Sequence, residues 1–181
     1  KGLDDLMSAI KEVYISMFTD SSLIYAKNNA VSLADLQMSV VVQRMVQPEV
    51  SGVAYTVDPI TNDRTKLSVE AVFGLGDVIA DGDVTPDQYI VEKSKLAVLE
   101  KHIAPQEWMK IRKLTASKNQ LERFERIKIS KAWSHQQKLE DRYVEDVAKI
   151  AMIIEDRLNS AQHIEWVFES GRVWVLQNKS I

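Results

Sequence analysis

The sequence contains no cysteine, which excludes a disulfide framework and any thiolate-bound metal. Glycine and proline are few, at six and four residues, and no low-complexity segment or internal repeat is present. No apolar run approaches the roughly 20 residues that a membrane-spanning helix needs. The formal net charge of −3 indicates no general nucleic-acid-binding surface. These absences predict a soluble cytoplasmic protein whose partners are neither membranes nor nucleic acids.

Both ends of the sequence look cut. It starts at Lys1 without an initiator methionine or a signal peptide, and it stops directly after a predicted strand. A length of 181 residues suits one domain or a part of a larger enzyme. We therefore expect a fragment of a longer protein.

The clearest chemical signal lies at the carboxy terminus. Residues 163–168 and 172–177 alternate apolar and polar side chains around a glycine-containing turn, which is typical of a half-buried β-hairpin. Glu165 and Gln177 lie at comparable distances from the turn and can face each other. A carboxylate beside an amide oxygen suits Mg²⁺ rather than zinc or copper. This pattern predicts a metal–phosphate site, although spacing alone also fits an ordinary solvent-facing pair.

The remaining periodicity predicts an α+β fold, with helices flanking a largely antiparallel sheet. Helices are predicted at residues 6–17, 20–28 and 139–158, and Thr19 is the expected cap of the second. Strands are predicted at residues 38–46, 51–57, 66–73, 88–92 and 96–102. Between residues 105 and 137 the pattern is too weak for an assignment.

Three separate segments resemble one family. They are residues 39–46 with 51–59, residues 70–77 with 82–89, and residues 164–166 with 176–177. The middle segment contains Glu70, the turn Gly74-Leu75-Gly76 and the later Pro86-Asp87. In order and spacing, nearly the whole chain resembles the phosphoenolpyruvate synthase and pyruvate phosphate dikinase family.

The resemblance implies the carboxy-terminal part, or second half, of an ATP-grasp nucleotide-binding domain. In that family ATP phosphorylates a histidine on a swivelling domain, which passes the phosphoryl group to pyruvate on a barrel domain. The chain resembles neither of those domains, nor the amino-terminal subdomain that grips the phosphates. We therefore expect residues 1–181 to be a single-domain fragment that is inactive alone. The implied full reaction converts ATP, pyruvate and water into phosphoenolpyruvate, AMP and phosphate.

The resemblance also implies roles at the carboxy-terminal hairpin. Glu165 and Gln177 would hold Mg²⁺ against the phosphates of ATP. Lys179 would be the catalytic residue that contacts phosphate, at a position where the family usually has arginine and its planar fork. His163 stands where the family typically has aspartate, and Ser180 replaces a usual proline.

Five further residues would line the nucleotide. Gln43, Met45 and Val46 match a hinge beside the adenine, where backbone groups bind the base and apolar side chains contact its face. Composition alone favours a buried strand for this hinge. Glu70 and Asp77 would lie around the nucleotide, and Asp77 replaces a glutamate of the family.

Two alternatives stay open. A rifampicin phosphotransferase-like enzyme shares this nucleotide domain and phosphorylates an antibiotic instead of pyruvate. A non-catalytic nucleotide-binding module is the other alternative, because His163, Lys179 and Ser180 all depart from the usual residues.

Overall fold

The computed structural model describes residues 2–113 and 123–181 of the chain. The chain divides into two compact units, Lys1–Met45 and Val46–Ile181. Within the described residues, no helix is both long enough and apolar enough to cross a bilayer.

The first unit contains two helices, α1 (Leu3–Ile15) and α2 (Asp20–Asn28). α1 carries two acidic residues in its first turn, where the helix dipole favours negative charge. α2 is capped by Thr19, whose hydroxyl accepts a hydrogen bond from the Ser22 N–H at 3.4 Å. The structure confirms both helices predicted for this region.

The strand predicted at residues 38–46 is wrong. These residues have no regular secondary structure, and Val41 and Val42 are 81% and 65% exposed. β-Branched residues favour a strand only where a neighbouring strand pairs with the backbone and side chains pack on its face. Within the two described ranges, no strand pairs with this run.

The second unit is built on a six-stranded antiparallel sheet that contains β1 (Val50–Tyr55), β2 (Lys66–Phe73), β3 (Asp87–Glu92), β4 (Ala97–His102), β7 (Gln162–Glu169) and β8 (Arg172–Ser180). The strand order in this sheet is β4-β3-β2-β1-β7-β8. A two-stranded sheet pairs β5 (Trp108–Arg112) with β6 (Phe124–Lys128). Helices α3 (Asp77–Ala80), α4 (Lys131–Ser134) and α5 (Asp141–Leu158) complete the unit. This arrangement confirms the predicted α+β fold with a mostly antiparallel sheet.

The core lies between α5 and one face of the large sheet. The buried cluster contains Val144, Val147, Ala148 and Ala151 of α5 and, from the sheet, Val50, Ala54, Leu67, Val69, Ala71, Tyr89, Val91, Ile164, Trp166 and Phe168. Trp166 packs directly over Gly52: a Cβ at that position would lie 2.5 Å from the indole ring. Because side chains alternate along a strand, the intervening residues of β1, β2, β3 and β7 point to the other face.

The region left unassigned from the sequence, residues 105–137, contains β5, β6 and α4. Its middle part, residues 114–122, lies outside the described residues. These strands are short and their burial does not alternate from residue to residue, which explains why the pattern did not predict them.

Candidate functional site

Polar side chains form a row across the face of the large sheet opposite α5. The strand register places Gln88, Glu70, Val53, Glu165 and Gln177 opposite one another, in that order, across five strands. Residues paired in register share a face, and the core residues between them point towards α5. The row therefore brings two carboxylates and two amides onto one half-buried surface.

Glu165 and Gln177 are direct register partners, as the hairpin pattern predicted. The pairing depends on a bulge: the register shifts between Glu165 and Trp166, so that Trp166 pairs with Val175 and Glu165 pairs with Gln177. In a regular ladder that continued from the pair Trp166–Val175, Gln177 would pair with Ile164 and point into the core. The bulge thus places the amide of Gln177 beside the carboxylate of Glu165.

A second row runs alongside the first and contains Tyr55, His163 and Lys179. The ammonium of Lys179 lies 3.7 Å from the Oε1 atom of Glu165. His163 is the register partner of Lys179, but its ring stacks on Tyr55 with the centroids 4.8 Å apart. Within the described residues, the buried Nε2 atom of His163 has no hydrogen-bond partner. Lys179 therefore finds its anionic partner in Glu165 rather than across the ladder.

Burial raises the pKa of two side chains on this face, Glu70 and Tyr55. Desolvation raises the pKa of Glu70 above its ordinary value. The pKa of Tyr55 is also raised, first by burial and then by the negative charge of Glu70. These two shifts place Glu70 and Tyr55 in one electrostatic environment on the sheet.

Replacing Glu70 with glutamine should lower the pKa of Tyr55, because the substitution removes the carboxylate charge that opposes phenolate formation. An ultraviolet absorbance titration of tyrosine, assigned with a Tyr55→Phe variant, measures the change. Glu145→Gln on α5 is the matched control and should leave the Tyr55 titration unchanged. An unaltered Tyr55 pKa in Glu70→Gln would contradict the proximity of the two groups.

Asp77, the other predicted carboxylate, has a different setting from Glu70. It begins α3 just after the glycine turn and forms an ion pair with Lys110 of β5. The turn itself is fixed on two sides: the Ser51 hydroxyl donates to the Gly74 carbonyl at 2.6 Å, and the Leu75 N–H donates to the Lys110 carbonyl at 2.9 Å. Asp77 therefore lies beyond the end of β2, pairs with Lys110, and is not part of the row that contains Glu70 and Glu165.

The predicted hinge residues fall on both sides of the division between the units. Gln43 and Met45 belong to the first unit, and Val46 opens the second. Just after Val46, the Gln47 N–H donates to the Glu169 side chain at 2.7 Å, which ties this segment to the end of β7. The contact of these three residues with an adenine stays a prediction.

A cleft of about 670 Å³ lies in the second unit beside the glycine turn. Its lining residues are Gln47, Pro48, Leu75, Ile111, Arg112, Lys113 and Glu125. Sequence reasoning missed this cleft because most of its wall comes from the β5–β6 hairpin. The cleft lies between Gln47 and Pro48, which follow the predicted hinge, and Leu75 of the glycine turn.

Sequence reasoning also missed a buried ion pair between Lys138 and Asp87. Both side chains are fully buried, and the Lys138 Nζ atom lies 2.5 Å from the Asp87 Oδ1 atom. Asp87 also accepts hydrogen bonds from the Tyr89 hydroxyl at 2.9 Å and from the Ala104 N–H at 3.0 Å. Burial, followed by the Asp87 charge, raises the pKa of Tyr89. This network fastens the segment before α5 to β3, and its long sequence separation left no local signal.

Comparisons with known proteins agree on one family. The protein family described as the pyruvate phosphate dikinase AMP/ATP-binding domain matches this chain over residues 1–181. A probable phosphoenolpyruvate synthase of Pyrococcus horikoshii is 34% identical over 99% of this chain and 22% of its own length. The phosphoenolpyruvate synthase of Pyrococcus furiosus is 34% identical over the same shares. A rifampicin phosphotransferase of Bacillus cereus is 33% identical over 99% of this chain and 20% of its own length. The chain thus spans about a fifth of the length of these curated relatives.

Proposed function

The chain belongs to the pyruvate phosphate dikinase AMP/ATP-binding domain family, and from this premise we propose that it forms part of the ATP site of a phosphoenolpyruvate synthase-like phosphotransferase. The predicted family is correct. The narrower prediction of the carboxy-terminal part of the domain is not supported, because the match assigns residues 1–181 to the AMP/ATP-binding domain without that restriction.

The observation that carries the proposal is the pairing of Glu165 with Gln177 on the polar face of the sheet. An ATP-grasp arrangement, in which such a sheet forms one wall of the nucleotide cleft, accounts for a face that bears carboxylates and amides opposite the α5 core. The base would lie towards the hinge and the cleft beside the glycine turn. The phosphates would lie over Glu165, Gln177 and Lys179.

The chemistry of the two ligands fits Mg²⁺. Proteins commonly hold this ion through one or two carboxylates, with phosphate oxygens and waters completing the shell. In the described parts of the chain, no group of three or more His, Cys, Asp or Glu side chains is arranged to bind a metal. The two protein ligands would therefore hold a divalent cation weakly alone, and the oxygens of ATP would complete its shell. Bound Mg²⁺ would neutralise charge on the phosphates of ATP.

The chain's own residues would orient and stabilise the phosphates. Glu165 supplies the negative charge that holds the cation, and Gln177 adds a neutral oxygen on the same face. Lys179 supplies a positive point charge that can move from Glu165 to a phosphate, because both side chains remain partly exposed. Phosphoryl transfer needs mainly such positioning and charge stabilisation from the protein.

Replacing Lys179 with glutamine should change two affinities in opposite directions. Removing the ammonium beside Glu165 should strengthen binding of Mn²⁺ alone by up to about fivefold, the range of an exposed ion pair. The same change should weaken binding of Mg-ATP by about tenfold, because a charged contact to phosphate is lost. Electron paramagnetic resonance measures free Mn²⁺, and calorimetry of the full-length polypeptide measures Mg-ATP.

Lys149→Gln is the matched control, since Lys149 pairs with Asp146 on α5 at 3.6 Å. It should alter neither affinity. A change of both affinities in the same direction in Lys179→Gln would overturn the proposed movement of the ammonium.

The remaining machinery would come from other parts of a longer polypeptide. A phosphorylatable histidine and a pyruvate-binding barrel are implied by the proposed reaction, so the 181-residue chain should show no turnover alone. The relatives include both phosphoenolpyruvate synthases and rifampicin phosphotransferases at similar identity, so the acceptor needs a direct test.

That test is an assay of the full-length polypeptide with Mg-ATP and either pyruvate or rifampicin. AMP release that depends on pyruvate is the expected result. AMP release that depends on rifampicin would replace pyruvate with the antibiotic as acceptor. Nucleotide binding without turnover of either compound would overturn the enzyme proposal in favour of a binding module.

A further inference from the structure

The last residue of β2 has a strand partner on one side only. On that side, Phe73 pairs with Val50 of β1. On the other side, the ladder with β3 stops at the pair Ala71–Asp87, two residues before the end of β2. The backbone N–H and C=O groups of Phe73 therefore need hydrogen-bond partners from outside the sheet, because unpaired backbone groups in the interior are costly.

Gln106 supplies these partners through its side chain. Its Oε1 atom accepts a hydrogen bond from the Phe73 N–H at 2.9 Å, and its Nε2 group donates to the Phe73 carbonyl at 3.1 Å. A side-chain carboxamide has the same donor and acceptor groups as a peptide unit, so it takes the place of the missing strand residue. Gln106 is 1% exposed, and its backbone N–H donates to the Ser134 carbonyl at 2.8 Å. The carboxamide is thus both buried and fully hydrogen-bonded.

The same carboxamide connects β2 to β5. Its Nε2 group also donates to the Trp108 carbonyl at 3.0 Å. Phe73 directly precedes the glycine turn that carries Leu75, and Trp108 begins β5, which carries Ile111. Leu75 and Ile111 both line the cleft of about 670 Å³ beside the turn. Gln106 therefore ties together two elements that form the walls of this cleft, and all of these residues belong to the second unit.

Two ion pairs also join the β5–β6 hairpin to the segment that follows the glycine turn: Lys110–Asp77 and Arg126–Asp83. All four side chains are partly exposed, so solvent screening makes these pairs weak. The hydrogen bonds of Gln106 are shielded from water, and a buried bond of this kind is expensive to break. Gln106 is therefore better suited than the ion pairs to fix the distance between the turn and the hairpin.

We propose that Gln106 is a positioning residue of the nucleotide site, whose carboxamide holds the glycine turn and β5 at the spacing that fits the base of ATP. The inference rests on the proposed function, in which the base lies towards this cleft. A cleft held in its binding shape favours affinity, because the ligand does not have to order the walls. Gln106 acts through the turn and β5 rather than by touching the nucleotide.

Calorimetry of the full-length polypeptide with two ligands tests the proposal. Mg-ATP carries a base and phosphates, whereas Mg-tripolyphosphate carries phosphates alone. Gln106→Met keeps a side chain of similar length but removes both donors and the acceptor. It should weaken binding of Mg-ATP by about tenfold, the scale of one or two lost hydrogen bonds. Binding of Mg-tripolyphosphate should stay unchanged, because the phosphates lie over the hairpin of β7 and β8.

Gln106→Glu carries the same test if Gln106→Met does not fold. Burial favours the neutral carboxyl group, which keeps the acceptor for the Phe73 N–H and one of the two donors. This variant should weaken binding of Mg-ATP by about threefold, less than Gln106→Met, since fewer hydrogen bonds are lost. Binding of Mg-tripolyphosphate should again be unchanged.

Lys93→Met is the matched control, because it breaks a largely buried contact with Glu155 of α5 at 2.6 Å and leaves the cleft intact. It should alter the affinity for neither ligand. Equal weakening of both ligands in the Gln106 variants would show a general loss of structure and overturn the positioning role. Unchanged binding of Mg-ATP would overturn it as well. Wild-type protein that binds neither ligand would refute the proposed function itself, which distinguishes that failure from a failure of this inference alone.

Discussion

Replacing Glu165 with glutamine should lower Mg²⁺-dependent ATP turnover of the full-length polypeptide by at least about a hundredfold, the scale seen when a group that stabilises transition-state charge is removed. Glutamine keeps the size of the side chain and one acceptor oxygen but removes the negative charge. Both proposed ligands, Gln177 and the new glutamine at position 165, would then be neutral, and neither would supply negative charge to the cation. Steady-state AMP release at saturating Mg²⁺ measures the loss.

The matched control is Glu145→Gln on α5, which packs against the opposite face of the sheet. It makes the same chemical change and should leave turnover within about twofold, as expected for a substitution away from the site. Full activity in Glu165→Gln, with normal folding by circular dichroism, would contradict the proposed role of Glu165 in binding a metal. Equal losses in both variants would show a general effect of charge rather than a site.

Replacing Lys138 with methionine should destabilise the second unit by about 3–5 kcal/mol, the usual effect of breaking one side of a buried ion pair. Asp87 would remain fully buried with its charge uncompensated. The Tyr89 hydroxyl and the Ala104 N–H would still donate to it, but neither carries a charge. Urea unfolding of the 181-residue chain, followed by tryptophan fluorescence, measures the change in unfolding free energy.

Lys101→Met provides the control, because Lys101 pairs with Asp141 at 2.6 Å on the surface rather than in the interior. Its expected effect is below about 1 kcal/mol. The double variant Asp87→Leu/Lys138→Met should recover part of the loss, since it removes both buried charges together. A loss below about 1 kcal/mol in Lys138→Met is the size expected for an exposed ion pair. Such a small loss would contradict the assigned role of the buried pair.

Local periodicity predicted much of the second unit. The bounds of β2 match the prediction, and the hairpin of β7 and β8 was expected from the alternation of apolar and polar residues. α5 begins two residues later than expected and ends at Leu158 as predicted. These elements each have one apolar side against a shared core, so their periods are visible in the sequence.

The apolar run at residues 38–46 shows where this reasoning fails. Its composition is that of a strand, but a strand also needs a ladder partner, and composition carries no information about whether one is available. The same limit applies to Lys138 and Asp87, whose contact joins segments 51 residues apart. Only the fold brings those two charges together.

The pairing of Glu165 with Gln177 was predicted from the sequence, but the bulge that produces it was not. Glu165 and Gln177 were expected to face each other, yet counting back from the turn gives Leu176 as the partner of Glu165. The bulge corrects the register by one residue, and bulges leave no reliable sequence signal. Asp77 was grouped with Glu70 because both flank the glycine turn, whereas its pairing with Lys110 depends on β5, an element that the pattern did not predict.

Paramagnetic broadening by Mn²⁺, followed in the methyl NMR signals of the 181-residue chain, tests the cation site most directly. Mn²⁺ accepts the same oxygen ligands as Mg²⁺. Val53, which lies between Glu70 and Glu165 in the row, should broaden first. Val147 of α5, behind the sheet, should broaden less, and Glu165→Gln should abolish the difference. If Val78, next to Asp77, broadens first and Glu165→Gln has no effect, the cation does not bind at the hairpin and the account is wrong.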